Sequence, residues 1–282
     1  MENDRVRIAA GILLIGFLNI AAASQNVYLE RTQQHVFKAK NVDQEYQIQV
    51  YLPPGYEDSA KSLPVLYLLD ADKSFGMAVN IVEWLSWAEE IRETIVVGIA
   101  YGGNTQNWWD KRSRDYTPWK DSKKVWGDWP LAGGAENFLK FLKEELVPWV
   151  DSNYRTAGND RGLAGLSLGG LFGTYVLFAE PQLFSRYLLS GAGLIWDDRH
   201  VFKMEEEYAK THRSLLAKVY SAVGEFDEQS IIEPWKDFHA LLAGRNYQGL
   251  EIKNEVIPGE THISSWPASL TRGIKYLYGK QK

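Results

Sequence analysis

The stretch Arg161-Gly162-Leu163-Ala164-Gly165-Leu166-Ser167-Leu168-Gly169-Gly170 decides the fold. It predicts a short strand, a sharp turn carrying one serine, and an apolar helix from Leu168 towards Ala179. The glycines flanking Ser167 lack a Cβ, so strand and helix can approach closely while the serine is held in a strained conformation. Its hydroxyl then projects above the sheet, and the backbone amide of Leu168 points to where an oxyanion would form. A Gly-x-Ser-x-Gly pattern arises by chance in about one chain in eight of this composition, so its surroundings decide its meaning. The plainer alternative is a glycine-rich turn that packs or cradles phosphate. The Gly-Lys-Ser/Thr ending of a nucleotide loop is missing.

The surroundings are those of an α/β protein. Val42–Leu52 alternates polar and apolar residues, which predicts a half-buried antiparallel strand closed by the Pro53-Pro54-Gly55-Tyr56 turn. Leu63–Leu69 is an apolar run suited to a strand buried on both faces of a parallel sheet. A helix is expected over Met77–Arg92 and a second buried strand over Thr94–Ala100. Residues 101–131 have little periodicity and hold Trp108, Trp109, Trp119, Trp126 and Trp129. Gly133–Asn153 has helical spacing of apolar residues. Beyond the serine turn come strands at Tyr187–Ser190, Ala217–Val223 and Leu250–Ile257, with helices at Glu233–Arg245 and Ser265–Tyr278. Strands alternating with helices after an antiparallel start imply a three-layer α/β sandwich with a mostly parallel central sheet.

Composition narrows the function. The 282 residues carry a net charge of −5 and 45% hydrophobic residues, an ordinary globular balance that gives no reason to expect nucleic acid as a partner. Met1–Arg7 carries two arginines, Ile8–Ala22 is apolar apart from Asn19, and Ala21-Ala22-Ala23-Ser24 supplies small residues. This predicts a secretory signal peptide over residues 1–23, cut near Ala23, and a single mature domain over 24–282, periplasmic or secreted and without stable membrane association. An uncleaved anchor or a buried N-terminal helix is the alternative, disfavoured because the apolar run is short for a membrane span. The absence of cysteine excludes both a disulfide framework and a lipid-attachment cysteine.

A serine nucleophile needs a base and an acid, in chain order serine, acid, histidine for this arrangement. Of five histidines, His35 precedes the first predicted strand, His200 and His212 sit in a charged excursion, and His239 lies in a helix. His262, in Pro258-Gly259-Glu260-Thr261-His262, alone follows the last strand. Its neutral imidazole can take the serine proton and return it to the leaving group. The acid belongs just beyond Ala217–Val223, where Gly224-Glu225-Phe226-Asp227-Glu228 offers three carboxylates. Asp227 is the choice by position, with Glu225 and Glu228 as alternatives. A second oxyanion donor is expected from Asp70-Ala71-Asp72-Lys73, through the amide of Asp72 or Ala71. The Asp72 carboxylate would repel an oxyanion, so it must turn away or be paired. No cofactor and no metal are called for.

Taken together, Pro64–Asp70, Arg112-Ser113-Arg114-Asp115-Tyr116-Thr117-Pro118, Gly133-Gly134-Ala135, Gly165–Gly170 and His262-Ile263-Ser264-Ser265-Trp266-Pro267 resemble the esterase D-like family of α/β-hydrolases. That family includes trilactone siderophore esterases, S-formylglutathione hydrolases, feruloyl esterases and mycolyltransferases. The resemblance spans roughly residues 35 to 280. It implies an α/β-hydrolase fold, Ser167 as nucleophile, His262 as base, Leu168 and Asp72 as oxyanion amides, and an acid in the Gly224–Glu228 loop. Family members commonly have glycine where this chain has Ala71.

The tryptophan-rich stretch lies where such folds build the substrate wall. Trp108 and Trp109 suit a flat aromatic acyl group, and Arg112 and Arg114 are candidates to meet an anionic part. The alternative is core packing for the rings and structural salt bridges for the arginines. Export argues against formylglutathione hydrolysis, a cytosolic task. The expected activity is serine hydrolysis of a small-molecule carboxylic ester, with siderophore esters leading and feruloyl or acetyl esters, acyl transfer or an inactive binding protein as alternatives.

Overall fold

Leu63–Leu68 (β3) and Ile95–Ala100 (β4) are apolar runs in which every residue is buried, as strands covered on both faces must be. They occupy the middle of an eight-stranded sheet of order Thr32–Ala39 (β1), Gln44–Tyr51 (β2), β4, β3, Thr156–Leu166 (β5), Arg186–Ser190 (β6), Ser214–Gly224 (β7) and Gln248–Ile257 (β8). The computed structural model describes residues 28–102 and 108–280. The chain divides into two units at Glu30, and the sheet and its helices belong to the unit that begins at Arg31. The expected signal segment over residues 1–23 lies outside the described residues. Among those, no helix is long and apolar enough to cross a membrane.

β1 (Thr32–Ala39), β2 (Gln44–Tyr51) and β4 pair antiparallel. β5 (Thr156–Leu166), β6 (Arg186–Ser190), β7 (Ser214–Gly224) and β8 (Gln248–Ile257) extend the sheet in parallel from β3. This is the mostly parallel sheet with an antiparallel start that the sequence predicts. The edge strand β1 was not expected, because its half-exposed polar residues hide the alternation, and it carries His35, whose Nε2 lies 3.1 Å from the Tyr154 hydroxyl.

Helices cover both faces. α1 (Ala71–Trp87) and α8 (Ser265–Tyr278) bury one core with Leu66, Leu68 and Leu188. On the other face α3 (Ala135–Phe141), α4 (Val147–Asn153), α5 (Leu168–Ala179), α6 (Trp196–Thr211) and α7 (Gln229–Arg245) contribute to a larger core with Tyr67, Leu163 and Leu189. α1 begins six residues before the expected Met77, because the polar run after β3 is the first turn of a helix rather than a loop. Ala71 is accommodated by Gly98 on β4, where an added Cβ would lie 2.8 Å from the Ala71 Cβ. The helix expected over Gly133–Asn153 is interrupted by a π-helical turn at Leu142–Leu146, where the Val147 amide donates to the Leu142 carbonyl. Pro148 follows, and its missing N–H removes the α-type bond that would have closed that turn.

Two helices escape the sequence reading. α2 (Trp108–Tyr116) lies in the tryptophan-rich stretch, and α6 is the charged excursion that holds His200. α6 is kinked, with Asp197, Asp198 and Arg199 all at φ between 47° and 59°. The kink is tied to residues 119–122, where the Asp197 carboxylate accepts from both the amide and the hydroxyl of Ser122, and His200 stacks on Trp119.

The turn between β5 and α5 is set by contact distance. A Cβ at Gly165 would lie 2.5 Å from the backbone of Gly169, whereas one at Gly169 would make ordinary contact, 3.5 Å from Leu69 Cδ1. Gly165→Ala is therefore expected to cost about 1–3 kcal/mol through overpacking against backbone that cannot yield. Gly169→Ala should be far milder; chemical denaturation of both variants measures the contrast.

Burial also creates a pH-sensitive core group. His239 Nε2 on α7 lies 3.0 Å from the Ser221 hydroxyl, which accepts from the Trp235 indole, and His239 Nδ1 is buried without a hydrogen-bond partner among the described residues. Desolvation pushes its pKa down to about 4. Because the folded value is below the unfolded one, the unfolded chain takes up the proton first. Stability is full above about pH 6.5 and falls as pH drops towards 4, by about 3 kcal/mol in total. His239→Gln should flatten that segment of the stability–pH curve, measured by urea denaturation at stepped pH.

Candidate active site

Ser167 sits on the turn between β5 and α5 at φ 61° and ψ −117°, a strained geometry for a residue with a side chain. Both backbone groups are held. Its amide donates to the Ser190 carbonyl at 2.8 Å, and its own carbonyl accepts from Leu171 and Gly193. Gly170 lets α5 approach the end of β6, since a Cβ there would lie 2.9 Å from Ala192.

The loops after β7 and β8 are joined to each other. The Phe226 amide donates to the Glu260 carbonyl at 2.8 Å, and Glu225 accepts from the Gly259 amide at 2.7 Å. Gly224 makes room, because a Cβ there would lie 2.4 Å from the Glu260 oxygen. This junction brings Asp227 to His262, with Oδ1 2.9 Å from Nδ1. The Asp227 side chain is fully buried and also accepts from the Glu228 amide. Of the three candidate acids, only Asp227 reaches the imidazole. Glu225 is occupied as a tie between the loops, and Glu228 precedes α7 and accepts from Ser230. The imidazole packs over Gly191, where a Cβ would fall 2.8 Å from Cε1. Gly191 carried no sequence signal beyond its place after β6.

The amides expected to face an oxyanion lie at two helix N-termini side by side. β3 and β5 are neighbours, Leu69 donates to the Ala164 carbonyl, and α1 and α5 start immediately beyond. The amides of Ala71, Asp72 and Leu168 have no backbone partner among the described residues. The Asp72 carboxylate does turn away, accepting from the amides of Tyr101 and Gly102 at 2.8 and 2.9 Å.

Two cavities meet at Ser167 and His262, which line both together with Trp109 and Arg112. The smaller, about 260 Å³, is walled by Trp126, Trp129 and Ile231. The larger, about 470 Å³, is walled by Trp108, Lys73, Met77 and Trp266. Trp108, Trp109 and Arg112 are thus at the site, Arg112 with only 3% exposure and already paired with Asp70. Arg114 lies elsewhere. It lines neither cavity and pairs with the fully buried Asp115, which also accepts from Tyr46 at 2.6 Å. Its expected meeting with substrate gives way to a structural ion pair. Asp70 and Lys73 were missed as wall residues, because nothing in sequence spacing links the end of β3 to α2.

With this geometry in hand, the chain matches the family described as "Putative esterase" over residues 39–277. It belongs to that esterase family. A ferri-bacillibactin esterase of Bacillus subtilis, BesA, is 26% identical, over 87% of this chain and 89% of that protein. The solved structure of the BES protein from Bacillus cereus superposes with a TM-score of 0.83 at 27% identity, covering 93% of this chain and all of that one. An IroE-like serine hydrolase from Shewanella oneidensis gives a TM-score of 0.78 at 28% identity, with 88% and 80% of the two chains covered. The chain is an ester-hydrolysing enzyme on an α/β-hydrolase fold.

The contact between Asp227 and His262 separates the acids of this esterase experimentally. Asp227→Asn should lower kcat by about 10⁴-fold, the loss expected when the imidazole is left in the wrong tautomer. Glu225→Gln should lose little by comparison, read by steady-state hydrolysis of a p-nitrophenyl ester.

Proposed function

We propose that this esterase cleaves carboxylic esters with Ser167 as nucleophile, His262 as general base and acid, and Asp227 as the group that orients the imidazole. The observation that carries the reading is His262, bonded through Nδ1 to a buried carboxylate while its ring lines both cavities beside the strained Ser167. With Nδ1–H donated to Asp227, Nε2 is free to take the serine proton. Ser167 Oγ attacks the ester carbonyl, and the amides of Leu168 and Asp72 receive the developing oxyanion at the two helix N-termini. His262 then protonates the departing alkoxide. Water, deprotonated by the same nitrogen, releases the acyl group and restores the serine.

The proposed substrate is a siderophore ester of the catecholate trilactone kind. Support comes from a cleft with indole rings on both sides of the serine, suited to flat aromatic acyl groups, and from the ferri-bacillibactin esterase among the relatives. We further propose that the enzyme acts after export to the periplasm or exterior, on the strength of the apolar segment Ile8–Ala22 and the small residues after it.

Turnover of a panel comprising p-nitrophenyl acyl esters, a feruloyl ester and a catecholate trilactone tests both levels. The trilactone should show the highest kcat/KM, and Ser167→Ala should abolish turnover of every member. Activity that survives in Ser167→Ala contradicts the mechanism, and a preference for the feruloyl ester contradicts the substrate assignment.

A further inference from the structure

Arg112 is the most heavily bonded charged side chain at the site, and none of its observed bonds is directed at the space a substrate would fill. Its Nε lies 2.9 and 3.0 Å from the two carboxylate oxygens of Asp70, and its Nη2 donates to the Leu166 carbonyl at 2.8 Å. Asp70 is the residue from which α1 starts, and Leu166 directly precedes Ser167. One planar guanidinium therefore spans the two backbone turns whose next amides, Ala71 and Asp72 on one side and Leu168 on the other, face the proposed oxyanion.

The Asp70 turn needs such a support. Asp70 has φ 52°, the left-handed region that a residue with a Cβ enters at a cost. Its carboxylate makes no capping bond to α1, being taken up by Arg112. Its amide is held as well, donating to the Tyr116 hydroxyl at 3.1 Å. Arg112 and Tyr116 are four residues apart on α2, so one helix face holds the turn through both its carboxylate and its amide. The guanidinium is in turn placed by rings, with Cζ 5.2 Å from the Trp108 ring centroid and 5.4 Å from that of Tyr116. Nη1 has no hydrogen-bond partner among the described residues, which leaves it open to a substrate anion, the competing role for this residue.

We infer that the Asp70–Arg112 pair is a clamp that fixes the spacing between the two oxyanion-binding amide groups, so that both are positioning residues for the reaction. The inference rests on the oxyanion site of the proposed function. Lysine at position 112 keeps a positive charge but offers its donors from a single nitrogen, so it lacks the fixed, separated Nε and Nη2 donors that bond Asp70 and Leu166 here. Removing one oxyanion donor from an esterolytic site costs roughly 10²–10³-fold in kcat, and displacing one should approach the same range.

The test uses Arg112→Lys, Asp70→Asn and the double variant, with a neutral ester (p-nitrophenyl acetate), an ester carrying a carboxylate on its acyl chain, and a trifluoromethyl ketone that forms an oxyanion adduct with serine. Under the clamp, Arg112→Lys lowers kcat by about 10²-fold on both esters with KM nearly unchanged. Affinity for the trifluoromethyl ketone falls by the same factor as kcat/KM, a parallel that general loosening of the fold would not produce. The double variant is no worse than the poorer single variant, since the two residues act as one unit. A loss confined to KM for the anionic ester overturns the clamp and assigns Arg112 to substrate binding, as does full additivity of the two substitutions. If Arg112→Lys does not fold, Asp70→Asn decides alone. Asparagine tolerates the left-handed turn and weakens only the charged pair, so unchanged kcat on the neutral ester overturns the inference. Ser167→Ala is assayed in parallel, and activity remaining there strikes at the proposed function rather than at the clamp.

Discussion

The close approach of α5 to β5 is the constraint on which the rest depends. Strand and helix meet where Gly165 faces the backbone of Gly169 with no room for a methyl group between them. A turn that tight forces Ser167 into positive φ, and the strain persists because Ser190, Leu171 and Gly193 hold its amide and carbonyl. The same turn starts α5 at Leu168, so that the first amide of the helix directly follows the serine. The placement of Ser167, the proposed nucleophile, and of the Leu168 amide beside it thus follows from one steric contact.

The remaining parts of the site reach that point by different physical means. His262 arrives on a loop tied to the Asp227 loop by the Phe226–Glu260 backbone bond and the Glu225–Gly259 bond, and it fits because residue 191 has no side chain. The second helix N-terminus arrives through the register of β3 beside β5, and its turn is held from above by α2. A buried carboxylate beside a buried guanidinium is costly to desolvate, and burial raises the pKa of Asp70 against the opposing pull of Arg112. Such a pair is poor value as a stabiliser of the fold. It makes more physical sense as a device that fixes geometry where small displacements matter most.

The cleft divides the chemistry around the serine. On one side lie Trp126, Trp129 and Ile231 above the Asp227–Glu228 carboxylates, and on the other Trp108 and Trp266 with the Lys73 ammonium. The smaller cavity owes its wall to a segment anchored at a distance, since Trp196 bonds the Trp119 carbonyl and the left-handed Asp197 holds Ser122. The left-handed kink in α6 is thereby bonded to the segment that leads into Trp126 and Trp129.

Residue order and local pattern carried much of this protein. The glycines about Ser167, the buried apolar runs of β3 and β4, and the position of His262 after the last strand all express short-range rules of sterics and periodicity. The family follows from the same motifs. What local pattern could not carry was decided by contacts between distant segments. The polar Asp70–Lys73 run became a helix start because α2 supplies partners some forty residues away. Asp227 rather than Glu225 meets the imidazole because the two loops pair in one register. Arg112 and Arg114, two residues apart and identical in type, part company because α2 turns one towards the elbow and the other towards Asp115. Sequence alone named the residues whose chemistry suits an esterase; the tertiary structure decided which of them face one another, because hydrogen-bond geometry and close packing are properties of the folded chain.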